Sequence, residues 1–355
     1  MRLAPLLLLA AASRFAVPDA RPPAFPRDHG SHDEARIEWW YVTGHLETES
    51  GGRLGYELTF FRTGVLDEPR GAARSAFSAR DLHLAHFART DVTGGTFRFA
   101  ERAHRSGPGA AHAGEARLDV ANEDWRLEQL GDALVLRARD GDEELSLLLT
   151  PRKPPVLHGE GGLSRKGPDP EAVSRYVSLT RLESAGWWRR GSAWQRVRGS
   201  SWFDHEWGPG VLSKGFSGWD WFALQLDDGR ELMLYRLRGT EGISPYTSGT
   251  LVEKDGTGKP LASSDFTITE TARWKSPKSG ATYPSRWRVS VPKVALTVDV
   301  VPSVADQELV TERSTKVTYW EGACDVRSPE GVPLGRAYVE MTGYAGTGAL
   351  GRLQP

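Results

Sequence analysis

Residues 219–237 read WDWFALQLDDGRELMLYRL, and this stretch decides the fold. Apolar residues alternate on both sides of Asp228-Gly229, a strong short-range hairpin signal. Centring the turn on that dipeptide pairs Leu226 with Glu231, Leu224 with Met233, Phe222 with Tyr235 and Asp220 with Leu237. Directly opposed residues share a face. Phe222, Leu224, Leu226, Met233, Tyr235 and Leu237 then form one apolar face with Asp220 set in it. A carboxylate there is costly unless it is paired, hydrogen-bonded or protonated. Protonated, it would serve as a general acid. The structural alternative puts Asp220 at a barrel rim, bonded to backbone amides or an indole N–H.

The same alternation runs outward in both directions. Before the breaker Gly208-Pro209-Gly210, strands are expected over residues 38–46, 54–62, 125–129, 133–138 and 144–149. After it they are expected over 219–226, 231–237, 247–254, 265–271, 287–291, 295–301, 316–326 and 336–342, a count that suits a sandwich or an up-and-down barrel. Only residues 74–89 approach a helical stripe. A Gly-, Lys- and Pro-containing loop over 151–170 is long enough to line a site or act as a lid. With 355 residues the chain suits two domains. The reading is all-β, with residues 28–210 and 211–355 as the two domains.

Two polar groupings stand out in the first half. In the hairpin around Ser50-Gly51-Gly52, Trp40, Val42 and Leu46 share a face with Glu38, and a turn centred on Ser50 sets Glu38 opposite Arg62 as a partly buried ion pair. The run Trp202-Phe203-Asp204-His205-Glu206-Trp207 places Asp204 and Glu206 on one side of an extended strand, His205 and Trp207 on the other. Two carboxylates at i and i+2 repel, so one is protonated or bridged, and a neighbouring His can relay protons. A rim hydrogen-bond network is the plainer alternative. The pairs His29/His32 and His83/His86 need a helix to converge, and neither region reads as one, so no metal is expected. Arg165 and Lys166 in the long loop are available to a polar head group.

Composition narrows the function. The chain holds 45 Lys+Arg against 46 Asp+Glu, a net charge of −1 that provides no field for a nucleic acid. No basic amphipathic segment points to membrane docking, and stable membrane insertion is not expected. Met1-Arg2 and the apolar run 3–12, ending in three alanines, read as a signal peptide within residues 1–16. An extended Pro-rich leader over 17–27 follows. The expected location is periplasmic or secreted. Cys324 is the sole cysteine, so no intramolecular disulfide staples the chain.

Several stretches together resemble one family. They are Asp28-His29-Gly30-Ser31-His32, the run 38–46, Leu58-Thr59-Phe60-Phe61-Arg62, Asp204-His205-Glu206-Trp207, Gly218-Trp219-Asp220-Trp221-Phe222, Asp306-Gln307-Glu308-Leu309, Tyr319-Trp320-Glu321-Gly322 and Gly343-Tyr344. In order over residues 28–346, they resemble the hydroxyneurosporene synthase (carotenoid 1,2-hydratase) and AttH-like family, with the AttH-like branch the nearer. The resemblance implies two lipocalin-like (calycin) antiparallel β-barrels in tandem. Some relatives hydrate the terminal double bond of carotenoids, others cyclise polyketide chains, and many are described only as secreted hydrolases. It also implies site residues at His205, Trp207 and Asp220. Where many relatives have Tyr-Tyr-Ser, this chain has Arg175-Tyr176-Val177-Ser178.

The expected protein therefore encloses a hydrophobic polyene or lipid-like molecule without a cofactor. As a hydratase it would use Asp220 as acid, with His205 and Glu206 positioning water and Asp204 a further catalytic candidate. Trp207, Trp219, Trp221, Tyr235, Arg165 and Lys166 would contact ligand. As a carrier it would hold the same ligand unchanged. Oligomeric state is not legible.

Overall fold

The computed structural model of the chain describes residues 13–67, 79–107, 109–210, 215–239 and 241–346. It contains two antiparallel sheets and only two short 3-10 turns besides. The first sheet opens with β1 (Ile37–Thr48), β2 (Arg53–Gly64), β3 (Asp81–Asp91) and β4 (Thr96–Arg105). Shorter strands follow: β5 (Ala111–Ala113), β6 (Asp119–Asn122), β7 (Trp125–Leu130), β8 (Ala133–Asp140) and β9 (Glu143–Pro151). The short β10 (Val156–Leu157) and β11 (Leu163–Arg165) precede the long β12 (Val173–Arg190) and β13 (Ala193–Gly208). The order is β4-β3-β2-β1-β13-β12-β9-β8-β7-β6-β5. Its two ends meet through Asn122, which takes Arg102 Nη1 on its carbonyl and His104 Nδ1 on its side chain, both at 2.7 Å.

The second sheet begins with β14 (Phe216–Leu226), β15 (Glu231–Gly239), β16 (Gly242–Ile243), β17 (Ser248–Val252) and β18 (Gly258–Ala262). It continues with β19 (Thr267–Lys275), β20 (Thr282–Val291), β21 (Leu296–Pro302), β22 (Glu308–Val310), β23 (Thr318–Arg327) and β24 (Pro333–Met341). The order β18-β17-β15-β14-β24-β23-β21-β20-β19 curls into a second barrel. Side chains fill both interiors: Trp40, Leu58, Phe87, Trp125 and Phe203 in the first, Phe222, Leu234, Trp287, Trp320 and Val339 in the second. This is a tandem lipocalin-like architecture.

The hairpin at 219–237 forms with a different register from the one a turn centred on Asp228-Gly229 gives. Gln225 pairs with Glu231, Phe222 with Leu234 and Asp220 with Arg236. The loop holds three residues, closed by Leu226 N–H to the Arg230 carbonyl at 2.9 Å, with Gly229 at φ 90°. A three-residue loop that ends on a positive-φ glycine is a standard hairpin closure. Its odd length moves every β15 side chain to the other face. Leu232 and Leu234 therefore join Phe222 and Leu224 inside the barrel, while Met233, Tyr235 and Leu237 lie outside with Trp221.

That outer face is covered, because the two barrels pack sheet against sheet. On β1, Trp40, Val42 and Leu46 point into the first barrel, whereas Ile37, Trp39 and Tyr41 point at the second. The seam is laced by polar contacts. His45 Nε2 donates to the Ala337 carbonyl at 2.8 Å, Thr90 donates to Gln307 at 2.6 Å, and Arg53 pairs with Asp325 at 2.6 Å. Fully buried Glu231 takes both Lys153 (2.6 Å) and Arg181 (2.5 Å) from the first barrel.

Four further expectations are refined. Residues 81–89 of the near-helical stretch belong to strand β3, and 68–78 lie outside the described residues. The loop over 151–170 is partly paired, since β10 and β11 both bond to β12. Residues 1–12 of the expected signal peptide are outside the described residues, but Arg14 is buried and pairs with Asp33 and Asp81, each at 2.8 Å. The Pro-rich leader forms no strand, is mostly exposed, turns at 25–26 into the 3-10 helix at Arg27–His29, and is pinned where Arg175 donates to the Asp19 and Arg21 carbonyls.

Candidate active site between the barrels

A cavity of about 200 Å³ lies in the seam, outside both barrel interiors. Alternation builds it. The outward residues of β1, β2 and β3 supply Trp39, Tyr41, Phe61, Leu84 and His86; those of β12 and β13 supply Ser174, Tyr176, Asp204 and Glu206. The second barrel contributes Trp219 and Trp221 from β14, Tyr235 from β15, Tyr319 and Glu321 from β23, and Glu340 from β24. The walls are chiefly aromatic, with four carboxyl groups and the Lys166 ammonium among them.

Hydrogen bonding divides these acids into two sets. On the first-barrel side, Lys166 pairs with Glu206 at 3.0 Å, and Ser174 donates to the same oxygen. The Lys166 ammonium also sits 4.2 Å from the centre of the Tyr235 ring, a cation–π contact. Asp204 accepts from Tyr176 Oη and Trp202 Nε1, both at 2.6 Å, and from Ser178. Trp221 Nε1 donates to the Tyr176 hydroxyl at 2.9 Å, which links the two barrels at the cavity wall.

The second-barrel side is poorer in donors. Glu321 and Glu340 are directly opposed on β23 and β24. Trp219 Nε1 donates to Glu340 at 3.2 Å. One oxygen of Glu321 and the Tyr41 hydroxyl have no hydrogen-bond partner among the described residues. Behind them Glu57 is fully buried, bonded by the Thr59 hydroxyl, and its second oxygen is likewise unpartnered. Directly opposed strand residues hold their Cβ atoms about 5 Å apart, and two charges at that separation in an effective dielectric of 20 would repel by about 3 kcal/mol. Ionising both is unfavourable, so the pair retains a proton. Burial, reinforced by the neighbouring acids, pushes Glu321 well up and Glu340 up to about 7. Burial alone pushes the His86 imidazole down to about 4, so it is neutral, hydrogen-bonded to Tyr319 at 2.6 Å and Ser314 at 2.8 Å. The arrangement can deliver a proton to an apolar ligand from a neutral carboxylic acid.

Of the residues singled out in the sequence, Asp204, Glu206, Lys166, Trp219, Trp221 and Tyr235 meet in this cavity. His205 and Trp207 lie on the opposite face of β13 and pack with His32 and Trp40. Asp220 points into the second barrel, where Arg236 (2.5 Å), Arg238 (3.2 Å) and the Tyr344 hydroxyl (3.0 Å) saturate it. Held by two guanidinium groups away from the cavity, it is placed as an ion-pair partner rather than as a proton donor. Arg165 is exposed. Glu38 lies opposite Arg62, with Nε to Oε2 at 3.1 Å, and both are buried. Sequence reasoning did not single out Glu57 or Glu340, and it gave Glu321 no role although it lies in the quoted Tyr-Trp-Glu-Gly stretch.

Comparison with known proteins follows the same outline. The AttH-like family profile matches residues 16–344. A structure assigned to AttH from Nitrosomonas europaea is 34% identical, with a TM-score of 0.83, covering 92% of this chain and 99% of its own. Kievitone hydratase from Nectria haematococca is 14% identical, with a TM-score of 0.69 and coverage of 95% and 97%. CghA, solved with Sch210972, is 13% identical, with a TM-score of 0.53 and coverage of 95% and 98%. At those last two identities the likeness is one of fold alone. No curated protein matches the sequence. Among the described residues no helix is long and apolar enough to cross a membrane.

Proposed function

The chain belongs to the AttH-like family, and on that footing we propose that the seam cavity binds an apolar polyene or prenylated molecule and adds water across a C=C bond. The observation that carries this reading is the opposed pair Glu321 and Glu340 in a wall rich in aromatic rings. The Nectria neighbour is named for a hydration, which agrees in reaction class.

The chemistry follows from the wall. Glu340, oriented by the Trp219 indole, gives its proton to the hydrogen-bearing carbon of a trisubstituted double bond, leaving a tertiary cation on its neighbour. The π faces of Trp219 and Trp221 attract that charge. Water adds to the cation and releases its proton to the carboxylate of the pair, so the pair ends with the protons it began with. In a prenylated phenol, the Lys166–Glu206 and Tyr176–Asp204 pairs would orient the polar end.

The test uses lycopene and a prenylated phenol as probes, incubated with the protein in ¹⁸O-water and analysed by mass spectrometry. Wild type is expected to return a labelled alcohol. Glu340→Gln should bind, seen as tryptophan quenching, with turnover reduced about 100- to 10,000-fold. Saturable binding with unlabelled return from wild type would overturn hydration and leave a carrier. Export belongs to the same proposal. Arg14 is tied into the fold, so cleavage is expected after Ala12, and N-terminal sequencing of protein recovered outside the cytoplasm should begin at Ser13.

A further inference from the structure

The His-x-x-His spacings in the sequence pointed to no metal, yet the fold brings His32, ahead of β1, against His205 on β13. Both are fully buried, as is Glu38 on β1 between them. His32 Nδ1 and His205 Nε2 approach the same oxygen, Glu38 Oε1, at 2.8 and 2.9 Å. The three atoms lie within 4.8 Å of one another. The outer ring nitrogens also face acceptors: His32 Nε2 lies 3.2 Å from Asp28 Oδ1, and His205 Nδ1 lies 3.1 Å from the Asp28 carbonyl.

Donor bookkeeping makes this unusual. A neutral imidazole has one N–H. With that N–H directed outward to Asp28, each ring aims a lone pair inward, where Glu38 offers another. An outer N–H on a carboxylate or carbonyl, with the inner nitrogen left free, is how metal-bound imidazoles are held. The rings are fixed as well. His32 stacks on Trp207 at 3.9 Å and His205 on Trp40 at 4.9 Å between centroids. Arg62 (3.1 Å) and the Ser31 hydroxyl (3.2 Å) occupy the other Glu38 oxygen, while Oε1 takes one backbone N–H, that of His32 at 3.2 Å, and keeps a second lone pair for a cation.

We infer that His32 Nδ1, Glu38 Oε1 and His205 Nε2 form a binding site for one divalent transition-metal ion of the zinc class. Two imidazoles and a carboxylate are a zinc donor set. Tetrahedral coordination with bonds of about 2.0 Å places donors about 3.3 Å apart. The two nitrogen-to-oxygen separations, 2.8 and 2.9 Å, fall about half an ångström short of that value, and all three donors lie within 4.8 Å of one another, so small side-chain shifts complete the site. The ion would pin the Asp28–His32 segment to β1 and β13, the strands whose opposite face carries Trp39, Asp204 and Glu206. Its role is to hold that wall of the seam, and it stands independently of the hydration proposal.

Metal analysis of the full-length chain, purified without chelator or affinity metal, should find about one zinc per chain. After chelation, cobalt(II) should bind at one equivalent with visible d–d absorption and be displaced by zinc. His32→Gln should lose that absorption and weaken zinc binding more than about 100-fold, whereas His112→Gln, at an exposed histidine, should retain both. Wild-type protein with no metal and no cobalt absorption would overturn the site without recourse to any variant. Equal binding by wild type and His32→Gln would also overturn it.

Discussion

Glu57 shows what burying an acid costs. It is fully buried, and that burial pushes its carboxyl up to about 8. A carboxyl with a raised folded-state pKa contributes stability that is fully present below its ordinary value near 4.5 and is lost as pH rises through about 8. In that window the loss reaches about 1.4 kcal/mol per pH unit for one group. Glu57→Gln should flatten the decline in melts recorded from about pH 5 to about pH 8.5, and an unchanged slope would show that the residue ionises freely. Glu340 obeys the same sign at the cavity wall: turnover that depends on its acid form should fall as pH rises through about 7. These glutamates were hard to read from sequence because alternation gives each the look of a solvent-facing strand residue. In Tyr56-Glu57-Leu58 the apolar neighbours face the first barrel, and only the second barrel turns the Glu57 side into an interior. Asp204 and Glu206 were legible because tryptophans flank them in one short run.

At the level of the element, the hairpin β14–β15 shows where pattern reading stops. Strand identity and the two strand ends that flank the turn, Leu226 and Glu231, were legible from alternation around Asp228-Gly229; the outer ends lie three and two residues further out. The register was not, because one residue of loop length decides it and both faces of β15 are apolar. A strand exposed on one face would have betrayed the slip; a strand covered on both does not. The corrected register places Asp220 opposite Arg236. Asp220→Asn should therefore lower stability by about 3–5 kcal/mol, as expected when one partner of a buried ion pair is removed. Tryptophan quenching by a cavity ligand should persist in whatever fraction folds. Destabilisation below about 1 kcal/mol together with lost turnover would return Asp220 to the role of acid.

For the whole molecule, the seam is both joint and site, so its ion pairs should govern cooperativity. Glu231 alone gathers Lys153 and Arg181 across it, with the Lys153 side chain only 6% exposed. Glu231→Gln should cost about 3–5 kcal/mol and split one calorimetric transition into two as the barrels uncouple; a single unshifted transition would show that the seam does not depend on it. The raised Glu321 and Glu340 carboxyls mean that the seam holds a protonated carboxyl group at neutral pH. Infrared spectroscopy near pH 7 measures it directly through the carbonyl stretch of buried carboxylic acids. Such a band is expected in wild type, retained in part by Glu57→Gln and lost further in the Glu321→Gln/Glu340→Gln double variant. A wild-type spectrum with carboxylate bands alone, or a band unaffected by that double variant, would contradict it.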